Sequence, residues 1–186
     1  MTCIVALRRN DTVWLGGDSA GTMTNMMQVI RKDKKVFIRG EFLIGFCGSF
    51  RMGQLLRHTL VLPTQVEGQE DIVFMVNDFV DAVRKCLLEE NAKAEARPEE
   101  RLFPDFLVGY RGHIYNVSPD YQVGEPEDNF DAIGSGADLA RGALHVMQSI
   151  HDPEERIIAA LEASAHGNAA VRPPFTVLNL VRGERG

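Results

Sequence analysis

The chain has 186 residues, 45% hydrophobic and 25% charged, with 20 Lys+Arg against 26 Asp+Glu for a net charge of −6. That length predicts one domain, residues 1–186, with a sizeable core, and the acidic balance argues against nucleic acid, whose phosphates need a basic face. No apolar run approaches the roughly 20 residues of a membrane span, the opening MTCIVALRRN lacks a signal-peptide pattern, and Cys3, Cys47 and Cys86 match neither a disulfide framework nor a zinc site. A cytoplasmic protein is expected.

In chain order, the first fifty residues read as short strands. Cys3–Leu7 and Val13–Leu15 flank the turn Arg9-Asn10-Asp11-Thr12, and Gly16-Gly17-Asp18-Ser19 breaks the pattern. A strand region at Gln28–Ile38 and another at Phe42–Cys47 are joined by Arg39-Gly40-Glu41. Tight connections of this kind predict antiparallel pairing. Ser49 then caps a helix expected to run to about Leu60. A second helix is predicted from Ile72, Val76, Phe79, Val83 and Cys86, whose three- and four-residue spacing marks them as its buried face. Its charged continuation, Glu89–Arg101, meets an interruption at Pro98.

Strands return at Phe106–Tyr110, His113–Val117 and Asp131–Ile133, with Arg111-Gly112 as a hairpin turn. A helix carries Ala137, Ala140, Leu144 and Met147 on one face, and Asp152-Pro153-Glu154-Glu155 starts another. Phe175–Val181 is the last strand. Two helix pairs that enclose two strand-rich layers predict an α+β fold, a four-layer αββα sandwich of mainly antiparallel sheets.

Common catalytic motifs are missing: there is no G-x-S-x-G elbow, H-E-x-x-H helix or P-loop. His58, His113, His145, His151 and His166 show no metal-ligand spacing, and Gly134-Ser135-Gly136 lacks the P-loop lysine. The N-terminus offers more. Removal of Met1 leaves Thr2 with a hydroxyl nucleophile and an α-amine of pKa near ~7.7–8 to take its proton. A neighbouring ammonium would favour the ionised hydroxyl. Lys34 and Lys35 enter a strand together, so one points to each face, and Asp18 follows flexible glycines from which it could hold that lysine charged. Gly48 precedes the Ser49 helix and offers a backbone N–H suited to an oxyanion. Taken singly, a turn-capping Asp18, a solvent-facing lysine and a plain turn at Gly48 explain the same residues.

In Thr2-Cys3-Ile4-Val5-Ala6-Leu7-Arg8-Arg9-Asn10, Gly17-Asp18-Ser19, Lys34-Lys35-Val36, Gly45-Phe46-Cys47-Gly48-Ser49 and Ala132-Ile133-Gly134-Ser135-Gly136, the chain resembles the proteasome β-subunit/HslV family of N-terminal nucleophile (Ntn) hydrolases. The resemblance implies a threonine-type endopeptidase with Thr2 as nucleophile, Asp18 and Lys35 tuning it, Gly48 N–H holding the oxyanion and Ser135 positioning the amine. It implies Thr22 on the strand that pairs with substrate, and Phe46 and Phe50 lining the specificity pocket. It further implies unfolded protein or peptide substrates and two stacked homo-oligomeric rings of six or seven subunits. An ATP-driven unfoldase partner is expected, and no cofactor; some members hold a metal cation near the last helix, which these residues neither assign nor exclude. Two departures stand out. The Asp18–Lys35 segment is one residue longer than the family's, which keeps Lys34 a rival for Lys35, and His166 is the nearest match to a family aspartate beside the nucleophile. A small-molecule amidase and a catalytically silent ring subunit are the alternative readings.

Overall fold

The computed structural model describes residues 2–22, 27–93, 103 and 105–184. In chain order the strands and helices are β1 (Ile4–Arg9), β2 (Thr12–Gly17), β3 (Ala20–Thr22), β4 (Gln28–Ile30), β5 (Val36–Arg39), β6 (Phe42–Phe46), α1 (Phe50–His58), α2 (Asp71–Phe74) and, after a π-helical turn at Met75–Phe79, α3 (Val80–Lys93). There follow β7 (Phe106–Tyr110), β8 (His113–Val117), β9 (Val123–Gly124), β10 (Phe130–Ile133), α4 (Ala137–Val146), α5 (Pro153–Gly167) and β11 (Thr176–Val181). No described helix is long and apolar enough to cross a membrane.

The strands form a four-stranded sheet in the order β10-β1-β2-β11, a five-stranded sheet β5-β6-β7-β8-β9, and a separate ribbon of β3 with β4. Every pairing is antiparallel. Asn10 (φ 55°) and Gly40 (φ 55°) take the left-handed conformation that the tight turns after β1 and β5 need. The expected α+β architecture is borne out.

Strand alternation explains the layers. In β1, Ile4 and Ala6 point between the sheets and join Val13, Leu15, Val36 and Leu43. Cys3, Val5 and Leu7 point the other way, onto Ala140 and Leu144 of α4 and Ile157 and Leu161 of α5. A strand covered on both faces has no polar side to show, which is why Ile4-Val5-Ala6-Leu7 reads as one apolar run. On the far side of the second sheet, Phe42 stacks on Tyr110 and Phe79 at centroid distances of 4.6 and 4.9 Å, beside Met52 and Leu56 of α1. Close approach is built in: a Cβ at Gly45 would lie 2.6 Å from Ile4 Cγ2 across the inter-sheet gap.

The structure corrects two expectations. The Gln28–Ile38 region is two strands in different sheets, with Arg31–Lys35 as the crossing between them. In the second helix, Ile72 and Val76 are 36% and 47% exposed, while Phe74, Met75, Phe79 and Val83 are buried. The π turn causes this, because its wider i→i+5 pitch offsets the face by about one position and breaks the 3.6-residue extrapolation. The interruption expected at Pro98 falls outside the described residues.

Candidate active site

Thr2 lies at the mouth of β1, where the chain passes between the two sheets and its side chain is 3% exposed. Its carbonyl accepts from Gly136 N at 3.2 Å, and its own N donates to Ser135 Oγ at 3.3 Å. The loop that makes these bonds needs Gly134: at φ +90°, a Cβ there would stand 2.4 Å from Thr2 O.

Asp18 follows β2, the neighbour of β1, which brings its carboxylate under the Thr2–Cys3 segment. Oδ1 accepts from Cys3 N at 3.0 Å and Oδ2 from Ala20 N at 3.0 Å. Lys35 arrives from the other sheet, at the start of β5. Its Nζ donates to Thr2 Oγ1 at 2.9 Å and to Asp18 Oδ1 at 2.8 Å. Both side chains of that ion pair are sealed, at 1% and 0% exposure. Lys34, one residue away, is exposed, so of the two lysines only Lys35 touches Thr2.

Burial pushes the Lys35 ammonium below its ordinary value, and the Asp18 charge and hydrogen bond pull it back up. Without Asp18, a buried ammonium would shed its proton or destabilise the fold. With it, a cation sits one hydrogen bond from a hydroxyl in a low-dielectric setting, which favours the alkoxide-like form of that oxygen. Burial also raises the Cys3 thiol to about 11, partly offset by a hydrogen bond with Ser164. Burial, with the 2.6 Å bond to Asp105 Oδ2, raises Cys47 too. Neither thiol is poised as a nucleophile.

The other expected residues divide. Gly48 sits just before the Ser49 N-cap of α1 with φ +77°, open space on its Cβ side and, among the described residues, no acceptor for its N–H. Phe50 is part-buried and lies beneath two cations: Arg31 at 4.0 Å from the ring centre and Lys35 Nζ at 5.7 Å. Gly21 adjoins this cluster, since its Cβ would meet Arg31 Cδ at 2.8 Å. Next to it, Thr22 Oγ1 is shielded from solvent with no hydrogen-bond partner among the described residues. Phe46 is packed in the core, edge-on to Phe50 at 5.8 Å and against Gly53, where a Cβ would come within 2.1 Å of its ring. His166 is exposed on α5.

Sequence reasoning missed two supports. Asn168 Nδ2 donates to Ser135 O at 2.7 Å, and Ser164 Oγ, fully buried, donates to Gly136 O at 2.8 Å. Asn168 caps the C-terminal end of α5, and that position after a helix was the one available signal. Among the described residues no group of three or more His, Cys, Asp or Glu is placed to hold a metal ion.

No protein-family model matches the chain. It is 29% identical to the ATP-dependent protease subunit HslV of Caldicellulosiruptor saccharolyticus over 184 residues, 96% of this chain and 98% of that one. The HslV subunit of Brevibacillus brevis is also 29% identical, over 98% of this chain and 96% of its own length. Among solved structures, Thiobacillus denitrificans BPH in complex with epoxomicin superposes with a TM-score of 0.78 at 16% identity, over 98% of this chain and all of that one. Eukaryotic HslV from Trypanosoma brucei gives 0.68 at 21% identity, covering 97% and 99%. These neighbours have the Ntn-hydrolase, proteasome-type fold.

Proposed function

We infer that this chain, of the proteasome β-subunit/HslV family, is a threonine-type peptidase, a single catalytic domain that hydrolyses peptide bonds with Thr2 as nucleophile once Met1 is removed. The observation that carries the reading is the buried Thr2–Lys35–Asp18 chain, with bonds of 2.9 and 2.8 Å. Thr2 Oγ1 attacks the scissile carbonyl carbon, and its proton passes to the freed α-amine. The oxygen that becomes an anion is met by Gly48 N–H. The C–N bond breaks as the amine returns its proton to the leaving nitrogen, which leaves an acyl ester on Thr2. A water activated by the same amine then hydrolyses the ester. Lys35 stays charged throughout and stabilises the developing alkoxide. Ser135, within 3.3 Å of Thr2 N, orients the amine.

An extended peptide would pair beside Thr22, whose unsatisfied hydroxyl supports a polar occupant. Phe50, under Arg31, would meet the side chain next to the scissile bond, and Phe46 would support it from behind. Ring assembly is supported by the apolar outer face of the second helix, where Val73, Val76 and Leu88 are 42%, 47% and 53% exposed. In that reading the nucleophiles line a chamber of two stacked rings in the cytoplasm, fed unfolded protein by an ATP-dependent unfoldase.

One observation favours a second reading, a weak or silent ring subunit: the side chain that reaches Ser135 is the neutral Asn168 and not a carboxylate. The experiment separates the two. Protein with Met1 removed, incubated with epoxomicin, is expected to gain one adduct that maps to Thr2, and Thr2→Ala is expected to gain none. Equal peptide turnover by the parent and Thr2→Ala would overturn the peptidase reading.

A further inference from the structure

The space beside the nucleophile already holds a long side chain of this protein. Arg31 opens the crossing from β4 to β5, where its backbone N donates to Ser19 O at 2.9 Å. From there the side chain lies over Phe50, with the guanidinium carbon 4.0 Å from the ring centre. That ring centre is 5.7 Å from Lys35 Nζ, which bonds Thr2 Oγ1 at 2.9 Å. Only the Phe50 ring and the lysine head therefore separate Arg31 from the reacting hydroxyl.

Three contacts hold it in that position. Nε and Nη2 donate to Asp33 Oδ1 and Oδ2, each at 2.7 Å, a two-point bond that fixes the plane of the guanidinium. The Phe50 face adds a cation–π contact. The stem is wedged against β3: a Cβ at Gly21 would stand 2.8 Å from Arg31 Cδ, 3.3 Å from its Cγ and 3.5 Å from Phe50 Cε2. Phe50 has little room to retreat, because Phe46 stands edge-on to it at 5.8 Å and is itself packed against Gly53. The Arg31 and Asp33 charges, paired at 2.7 Å and each about a third exposed, largely cancel at the distance of a substrate side chain. What Arg31 presents to a substrate is volume more than charge.

We propose, on the basis of the peptidase reading, that Arg31 is a specificity-determining stopper that makes the enzyme prefer glycine, alanine or serine over large side chains immediately before the scissile bond. With the scissile carbonyl between Thr2 Oγ1 and Gly48 N–H, and the peptide extended beside β3, the side chain on the carbonyl's own residue meets the Arg31 stem and Phe50. A hydrogen or a methyl makes the least demand on that space. A leucine or phenylalanine has to displace the stem and break both bonds to Asp33. Asp33 is thus a positioning residue, acting through Arg31 by keeping the stopper seated.

The test uses the full chain with Met1 removed, in its native assembly, and fluorogenic peptides that differ only in the residue before the scissile bond: glycine, alanine, serine, leucine, phenylalanine and glutamate. In the parent, kcat/KM for the alanyl peptide is expected to exceed that for the leucyl and phenylalanyl peptides by about tenfold or more. Arg31→Ala is expected to raise the leucyl-to-alanyl ratio by about tenfold or more. Arg31→Met keeps an unbranched stem without the charge and is expected to hold the parent's ratio within about threefold. Asp33→Asn, which loosens the stopper, is expected to raise the ratio severalfold, and it serves as the test should Arg31→Ala fail to fold. A parent that favours large side chains, a ratio that neither Arg31→Ala nor Asp33→Asn moves, or an Arg31→Met ratio equal to that of Arg31→Ala would overturn the stopper. So would a glutamyl peptide cleaved best, because charge would then be what Arg31 reads. Any of these results with turnover that Thr2→Ala abolishes leaves the peptidase reading standing. Turnover that Thr2→Ala leaves intact, or none of any peptide, overturns that reading and the stopper with it.

Discussion

Asp18→Asn tests the electrostatic core of the site, because it removes a charge while nearly preserving shape. The carboxylate accepts three hydrogen bonds, from Lys35 Nζ at 2.8 Å and from Cys3 N and Ala20 N at 3.0 Å each. Asparagine keeps one acceptor oxygen and turns an NH2 group toward a donor. It also leaves the Lys35 ammonium buried without a counter-charge. Removing one partner of such a pair costs about 3–5 kcal/mol, a large share of the ~5–15 kcal/mol by which a domain is stable. The assay is urea unfolding followed through Trp14, the single tryptophan, at matched protein concentration and several pH values. The pH dependence has a definite sign. Burial already holds Lys35 below 10.5, and loss of Asp18 lowers it further. Below the folded-state pKa, both folded and unfolded chains carry the proton and the full penalty applies. Between that value and 10.5, the folded chain sheds the proton that the unfolded chain keeps, so the variant regains up to about 1.4 kcal/mol per pH unit. The gap between parent and variant is therefore expected to narrow as pH rises from 7 toward 10.5. A loss below about 1 kcal/mol at pH 7, or a gap that stays level or widens, would refute the reasoning.

Other substitutions separate support from chemistry. Gly134→Ala puts a methyl 2.4 Å from Thr2 O at a φ of +90°; displacement of Thr2 should cut its acylation rate by roughly ten- to a hundredfold, measured by intact mass against time. Phe46→Ala should cost about 3–5 kcal/mol in urea melts. Phe50→Ala should cost far less and instead change which peptide side chains are cleaved, as scored with a panel of fluorogenic peptides. Asn168→Ala removes the 2.7 Å bond to Ser135 O and should lower stability by about 1 kcal/mol and slow Thr2 acylation. His166→Ala, at an exposed position, should change stability by no more than ~0.5 kcal/mol and leave the acylation rate and its pH profile unaltered.

How far the sequence could be read depended on how local each signal was. Ser49 and Asp152 cap helices through bonds to Met52 N and Glu155 N, three residues on, so both starts were visible in a few letters. The layers were legible because β1 and β6 bury both faces and betray it as unbroken apolar runs. The second helix was misread at Ile72 and Val76 because a π turn is a backbone event with no residue signature, and the face that Phe79 and Val83 mark beyond it does not continue back through it at 3.6-residue spacing. The choice between Lys34 and Lys35 shows the same limit from the other side. Alternation required one lysine on each face, but which one meets Thr2 is set by the pairing of Val36 with Gly45 and by Phe46 N donating to Lys35 O at 3.1 Å. That register is fixed by side chains filling the gap between two sheets, most of them, such as Ile4, Leu15 and Leu107, far from Lys35 in sequence. A polar site built where two sheets meet thus borrows its geometry from the core. An inter-sheet substitution such as Gly45→Ala, whose Cβ would stand 2.6 Å from Ile4 Cγ2, should for this reason slow Thr2 acylation while touching none of the polar groups there.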